Sequence, residues 1–101
     1  MNKKVETEEK YVVVRGDSSG VFAGYLHSKK GREVVLRNAR KLFYWSGAAA
    51  VEQIAVDGVA NPNDCKFTVF IEEMCILDAI QILPCTRKAK ENISGVNVWK
   101  K

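Results

Sequence analysis

The sequence predicts a small α+β domain built on a largely antiparallel sheet. Three observations predict it: β-branched runs separated by short turns up to Trp45, helical periodicity directly after Trp45, and strand-like composition again from Phe67. The chain of 101 residues is long enough for one hydrophobic core and too short for two. We therefore expect a flexible, charged tail over residues 1–9 and a single domain over residues 10–101.

The N-terminal half predicts a three-stranded meander. Its strand-like runs are rich in β-branched and aromatic residues and cover residues 11–15, 21–28 and 33–45. The intervening segments 16–20 and 29–32 contain glycine, which permits the positive φ angles of tight turns. The third run is long for a strand, so we expect a bend near Asn38 and Ala39.

A central helix is expected after the meander. Four small or apolar residues follow at spacings of i, i+3, i+6 and i+7 and so lie near one helix face: Ala48, Val51, Ile54 and Ala55. Ser46 is the predicted N-cap of this helix, because its hydroxyl can accept a bond from a first-turn amide. Gly58 is the predicted C-cap.

Two interpretations stay open for residues 74–83. The apolar positions fit one face of a helix: Ile76, Ala79, Ile80 and Leu83. Alternation over residues 80–82 fits a strand instead, and we favour the strand because residues 67–73 already have strand composition. Thr86 then predicts the N-cap of a short C-terminal helix over residues 87–93, closed by Gly95, and residues 96–99 predict a last short strand.

Composition and charge restrict the function only broadly. Apolar residues make up 47% of the chain and charged residues 28%, which is typical of a folded globular protein. The formal net charge of +4 fits an anionic partner without requiring one. Apolar runs are far shorter than the roughly 20 residues of a spanning helix, and no signal-peptide pattern is present. We expect a cytoplasmic protein without membrane contact, and its small core favours a homo-oligomer.

The sequence offers little chemistry for catalysis. His27 is the single histidine, and it stands at the end of a predicted strand where an exposed turn residue is expected. The cysteines Cys65, Cys75 and Cys85 lack the Cys-x-x-Cys pair of a zinc knuckle. A zinc site of these cysteines with His27 is therefore the less favoured alternative to unreactive, partly buried thiols. We expect no enzyme activity, no cofactor and no metal.

The segment 36–49 concentrates the candidate ligand-binding residues. Arginine can bind an anion with two parallel bonds, aromatic rings can stack on a base, and amides at a helix start can hold a phosphate. We predict a nucleotide-type anion site formed by six residues: Arg37, Arg40, Tyr44, Trp45, Ser46 and Gly47. The alternative is that the aromatic residues belong to the core and the cations protect a strand edge. Trp99 is predicted to be a packing or subunit-interface anchor.

The sequence also resembles a family of small proteins from tailed bacteriophages and prophages, whose function is unknown. The resemblance runs from about Tyr11 to the C-terminus and is carried by residues 11–15, 20–24, 31–36, 38–40, 44–49, 65–67, 82–86 and 98–99. Phe43 and Lys41 depart from it, since similar sequences often carry Trp and Arg at these positions. The resemblance implies a protein that acts in the host cytoplasm. One class of such phage proteins sequesters cyclic nucleotides made by bacterial defence systems.

Three functions remain as hypotheses. The first is a non-enzymatic phage accessory protein that binds a nucleotide or cyclic nucleotide, and here Arg40→Ala is expected to abolish binding without unfolding. The second is a protein-interaction module that inhibits or redirects a host protein through strand edges or an aromatic patch. The third is a weak nucleic-acid binder, whose affinity falls steeply with salt.

Overall fold

The fold is the predicted α+β domain. A computed structural model of the chain describes residues 9–101, so the tail predicted over residues 1–9 lies, except for Glu9, outside the described residues. Six strands form one antiparallel sheet, and two α-helices and a 3-10 turn complete the domain. The elements in order are β1 Tyr11–Gly16, β2 Val21–Lys30, β3 Glu33–Tyr44, α1 Val51–Asp57, the 3-10 turn Pro62–Asp64, β4 Lys66–Phe67, β5 Ile71–Ile76, β6 Ala79–Pro84 and α2 Arg87–Gly95.

The sheet curls into a partly closed barrel. The meander β1-β2-β3 is confirmed, β5 pairs with the outer edge of β3, and β6 pairs with the outer edge of β1. In a flat sheet β5 and β6 would lie four strand spacings apart, or about 19 Å. Only Leu77 and Asp78 connect them, and such a link spans about 11 Å at most. The sheet therefore bends until its ends approach, and the Ala79 amide donates to the Arg32 carbonyl at 3.0 Å.

Strand β1 is buried on both faces of the sheet, which explains its consecutive valines. Inside the barrel, Val12 and Val14 pack with Val34, Leu36 and Ile76. On the other face the two helices cover a second cluster that contains, among others, Val13, Leu42, Ile54, Phe67 and Ile93. Val12, Val13 and Val14 are each at most 1% exposed. A strand buried on both sides needs apolar side chains at successive positions, and β1 has them.

The bend predicted near Asn38 is confirmed, and it changes which side of the sheet β3 residues face. Asn38 has a φ of 49°, and the β2–β3 register shifts between Ala23 and Tyr25. The extra residue in β3 is a β-bulge, which reverses the alternation of side chains that follow it. Leu36 therefore lies inside the barrel, whereas Arg40 lies on the helix-covered face.

The two helices agree with the predictions at two of their four ends. Gly58 ends α1 with a φ of 79° while its amide donates to the Ile54 carbonyl at 2.8 Å, and Thr86 caps α2 by accepting from the Ala89 amide at 3.0 Å. Helix α2 runs from Arg87 to Gly95, so it continues two residues beyond the predicted end at Ile93, and Gly95 is its last residue. The predicted N-cap Ser46 is wrong, because α1 begins at Val51 after Ala50.

The C-terminal strands are also close to the predictions. The strand interpretation of residues 74–83 is confirmed, with the difference that the tight connection at Leu77 and Asp78 divides the segment between β5 and β6. Residues 67–73 are not one strand, since β4 ends at Phe67 and β5 begins at Ile71. The last predicted strand is reduced to one parallel bridge between Phe67 and Val98.

Asp78 fastens the β5–β6 connection to the β1–β2 turn, and this contact predicts acid sensitivity. Its carboxylate accepts bonds from the Ser19 hydroxyl at 2.6 Å and from the Ser18 and Ser19 amides at 2.9 and 3.1 Å. The Ser19 hydroxyl contributes most to lowering the pKa of Asp78 from 3.8 to about 2.

Because the folded state has the lower pKa, this contribution to stability is complete above pH 3.8 and is lost as the pH falls towards 2. We expect Asp78→Asn to be less stable than wild type at neutral pH and to show a weaker decline between these two pH values. Urea unfolding at a series of pH values measures both effects. Parallel stability curves for the two proteins would contradict this role of Asp78.

Candidate functional site

Arg40 is part of the core. Its side chain is 0% exposed and lies on the helix-covered side of β3. Its Nε donates to the Thr68 carbonyl at 3.0 Å, and Nη1 donates to the carbonyls of Ile93 and Val96 at 3.0 and 2.8 Å. The guanidinium also lies 4.2 Å from the ring centroid of Phe70. Arg40 thus ties β3 to the end of α2 and to the segment after β4.

The environment of Arg40 corrects its predicted role as a ligand-binding residue. Burial lowers the pKa of Arg40 from its usual value, while the nearby Tyr11 acts in the opposite direction. Backbone carbonyls, which carry only partial negative charge, occupy its donors at Nε and Nη1. A guanidinium held in this way is a structural crosslink, and a ligand at the surface does not reach it.

Ser46 and Gly47 form a packed loop in place of the predicted helix start. The Ser46 hydroxyl accepts from the Asn61 side chain at 3.1 Å, and the Gly47 carbonyl accepts from the Ala60 amide at 3.1 Å. Helix α1 begins only at Val51 and has 7 residues. The helix start that the predicted anion site at Ser46 and Gly47 relied on is therefore absent there, because the first turn of α1 begins at Val51.

Arg37 lies at the surface but belongs to another charge cluster. Its Nη2 is 3.2 Å from His27 Nε2, and its Nε is 3.8 Å from Glu73 Oε1. His27 Nδ1 in turn lies 2.7 Å from Glu9 Oε2. Phe43 lies six positions after Arg37 in β3, which corresponds to roughly 20 Å of extended strand. The structure does not bring Arg37 together with the aromatic residues.

The aromatic run at the end of β3 divides between core and surface. Trp45 is half-buried and packs against the helix-covered core. Phe43 and Tyr44 are 56% and 52% exposed. The β3–β4 register shifts here, so that two β3 residues, Phe43 and Tyr44, stand where β4 supplies only Lys66. This irregularity leaves two large rings facing solvent at successive positions.

Phe43 completes an exposed stack with Trp99. The two ring centroids are 5.1 Å apart, and the ring planes differ by 12°. Trp99 is 38% exposed, and its amide donates to the Phe67 carbonyl at 2.9 Å, which fixes the C-terminal segment beside β4. Lys66 Nζ lies 5.6 Å from the centroid of the Trp99 ring. We refer to Phe43, Tyr44, Lys66 and Trp99 as the aromatic platform.

The six ligand-binding residues predicted from the sequence include one member of this platform, Tyr44. Lys66 and Trp99 are distant from Phe43 along the chain, and no local pattern connects them. The contact depends on the parallel bridge between Phe67 and Val98, which places the C-terminus beside β4. The signal in the sequence was the aromatic run 43–45 after three cationic residues. The partners of Phe43, which are Lys66 and Trp99, follow only from the fold.

A comparison with protein families places most of the chain in one of them. The model of a domain of unknown function, DUF6948, matches residues 9–93. The chain belongs to the DUF6948 family. No curated protein and no solved structure matches the chain. Phe43, Tyr44 and Lys66 lie within the matched part of this DUF6948 domain, and Trp99 follows it.

Potential metal ligands, cysteines and long apolar helices were the remaining features of this DUF6948 domain to consider. Over residues 9–101, no three His, Cys, Asp or Glu side chains are grouped as metal ligands. Cys65 and Cys85 are half-buried, Cys75 is exposed, and burial raises the pKa of the Cys85 thiol to about 11. Within the same range, no helix is long and apolar enough to cross a membrane.

Proposed function

We propose that this DUF6948 domain binds a nucleotide-type anionic ligand on the aromatic platform, without catalysing a reaction on it. The observation that carries the proposal is the exposed stack of Phe43 on Trp99 with the Lys66 ammonium beside it. Nucleotides combine an aromatic base with a phosphate, and the platform offers a partner for each part.

Stacking supplies the first part of the interaction. More than half of the Phe43 surface is exposed although Trp99 stacks on it, so ring surface remains open to solvent. Tyr44, the next residue of β3, is exposed as well. Base–aromatic stacking contributes about 1–3 kcal/mol per base, as measured by alanine substitution. It tolerates any base, because every base has an aromatic face.

Lysine charge supplies the second part. The Lys66 side chain is exposed, and the exposed residues Lys100 and Lys101 follow Trp99 directly. Each lysine is a compact cation that can contact a phosphate oxygen. The formal net charge of +4 adds a long-range attraction for anions, which weakens as the salt concentration rises.

The resemblance to proteins of tailed bacteriophages supports a biological setting for this binding. A small protein that holds a nucleotide and performs no reaction acts by lowering the free concentration of that nucleotide. We therefore propose sequestration of a cyclic nucleotide produced by a host defence system. An assembly of identical subunits would bring several platforms together in one particle.

A run of exposed apolar residues favours a second candidate, binding to a host protein. Val69, Phe70 and Ile71 are all exposed, and contiguous exposed apolar surface often marks protein contacts. Phe70 also covers the Arg40 guanidinium, so this structural contact is one reason for an aromatic residue at position 70. This candidate becomes the leading one if the platform binds no nucleotide.

A nucleotide titration tests the proposal. The panel comprises AMP, cyclic AMP, cyclic di-AMP and a short oligothymidylate, and native mass spectrometry reports both bound mass and subunit number. We expect wild type to bind at least one of them and Trp99→Ala to bind it about 5- to 150-fold more weakly, the loss of one stacking contact. Lys66→Gln is expected to weaken binding and to flatten its salt dependence.

Lys88→Gln is the matched control, because Lys88 is an exposed lysine on α2 whose ammonium lies 3.6 Å from Asp57. It removes the same charge away from the platform and is expected to bind like wild type. A wild-type protein that binds none of the panel would contradict the proposal. Equal affinities for Trp99→Ala and wild type would contradict the placement of the site.

A further inference from the structure

The barrel is left open on one side, between β6 and the β2–β3 hairpin. The Ala79 amide bonds to the Arg32 carbonyl, and this contact closes the barrel at one point. Beyond it the two elements separate and leave a groove of about 470 Å³. The hairpin contributes Lys29, Gly31 and Arg32 to its walls, and β6 contributes Ala79, Ile80 and Ile82. We call this groove the seam.

The β6 side of the seam is the edge of the sheet. Among residues 9–101, strand β6 pairs only with β1, at one end of the strand order. The Cys85 amide donates to the Tyr11 carbonyl at 2.9 Å, and Leu83 lies opposite Val13. Alternate residues of a strand direct their backbone groups to opposite edges, so the N–H and C=O of Ile82 point away from β1. An edge of this kind can accept an additional strand.

Apolar surface lies along the same edge. Ile80 lines the seam and is 49% exposed, whereas Ile82 packs partly against the barrel core. Leu77, at the start of the β5–β6 connection, is exposed as well. A strand added here would cover apolar side chains that the domain itself leaves in water.

The hairpin side of the seam is cationic. Lys29 holds its ammonium 2.9 Å from the Gly31 carbonyl, and Arg32 is exposed with Asp17 3.6 Å from its guanidinium. Lys30 lies between them in sequence, and the neighbouring acidic residue is Glu33. Three cations against two carboxylates leave the hairpin side with net positive charge.

We infer that the seam binds an extended segment of a partner protein with alternating apolar and acidic side chains, added as a strand to the free edge of β6. Residues of a strand alternate between its two faces, so apolar side chains of the partner would contact Ile80 and Ile82. The intervening acidic side chains would lie near Lys29 and Arg32. This inference uses none of the residues of the aromatic platform and stands independently of it.

A short fluorescent peptide of alternating valine and glutamate tests the inference by anisotropy. We expect one peptide per domain, and no binding by the same peptide with lysine in place of glutamate. The double charge reversal Lys29→Glu with Arg32→Glu is expected to weaken binding by at least about tenfold, because it places like charges together. The reversal Lys88→Glu on α2 is the control and is expected to bind like wild type.

Amide NMR of wild type separates strand addition from simple charge attraction. Strand addition requires the Ile82 amide resonance to shift when the valine–glutamate peptide binds, and Trp99→Ala must retain that binding. Equal binding of the lysine peptide, full binding by the double reversal or an unmoved Ile82 amide would each overturn the inference. The inference would also be overturned if wild type forms a dimer that the double reversal dissociates. The seam would then bind a second copy of this chain and not a partner protein.

Discussion

Arg40→Ala is expected to lower the free energy of unfolding by more than about 3 kcal/mol, because each buried acceptor left without its donor costs about 1–3 kcal/mol. Three carbonyls lose a bond of 3.0 Å or less, those of Thr68, Ile93 and Val96. The substitution also leaves a cavity next to Phe67 and Phe70. Urea unfolding followed by circular dichroism measures the change.

Two further variants make the Arg40 result specific. Arg37→Ala removes an exposed guanidinium from the same strand and is expected to change stability by no more than about 0.5 kcal/mol. Arg40→Met fills most of the volume without hydrogen bonds, so its stability separates the loss of bonds from the loss of packing. A folded Arg40→Ala protein of wild-type stability that no longer binds nucleotide would restore the site predicted from the sequence.

Gly47→Ala is expected to cost about 3 kcal/mol, which combines backbone strain with overpacking. Gly47 has a φ of 95°, and an added Cβ would lie 2.6 Å from the Ala60 nitrogen and 2.7 Å from the Asn61 nitrogen. Both neighbours are backbone atoms, so the loop cannot adjust by rotating a side chain. The measurement is the midpoint of thermal or urea unfolding.

Gly31→Ala is the control for Gly47→Ala. Gly31 also has a positive φ, of 59°, but no atom lies within 4 Å of the position of an added Cβ. Its substitution is expected to cost only the strain of the left-handed conformation, about 1 kcal/mol. Equal losses for the two variants would show that conformation alone, without the close approach of residues 60 and 61, determines the effect at Gly47.

Local patterns predicted most elements of the fold but not the curl of the sheet. The runs of β1, β2 and β3, the bend at Asn38 and the cap at Thr86 follow from residue types and spacing. The curl depends on the pairing of β5 with β3 and of β6 with β1, which are contacts between distant segments. No periodicity within a short window contains this information.

Contacts between distant segments also explain why the observed positions of the candidate site residues differ from the predicted ones. A bulge at Asn38 reverses the side of the sheet that Arg40 faces, so an arginine expected at the surface lies in the core. Trp99 meets Phe43 only because Val98 forms a bridge beside Phe67. The composition of residues 36–49 shows that cationic and aromatic residues are concentrated in β3, and the register of the sheet decides which of these side chains reach solvent.

The most direct test of the aromatic platform uses the two tryptophans of the chain as internal probes. Trp99 belongs to the platform, whereas Trp45 packs against the core. In ¹⁵N-labelled protein titrated with cyclic di-AMP or with a short oligothymidylate, the indole N–H resonance of Trp99 should shift and that of Trp45 should remain in place. A shift confined to Trp45, or binding that moves neither indole resonance, would contradict a binding site on the platform.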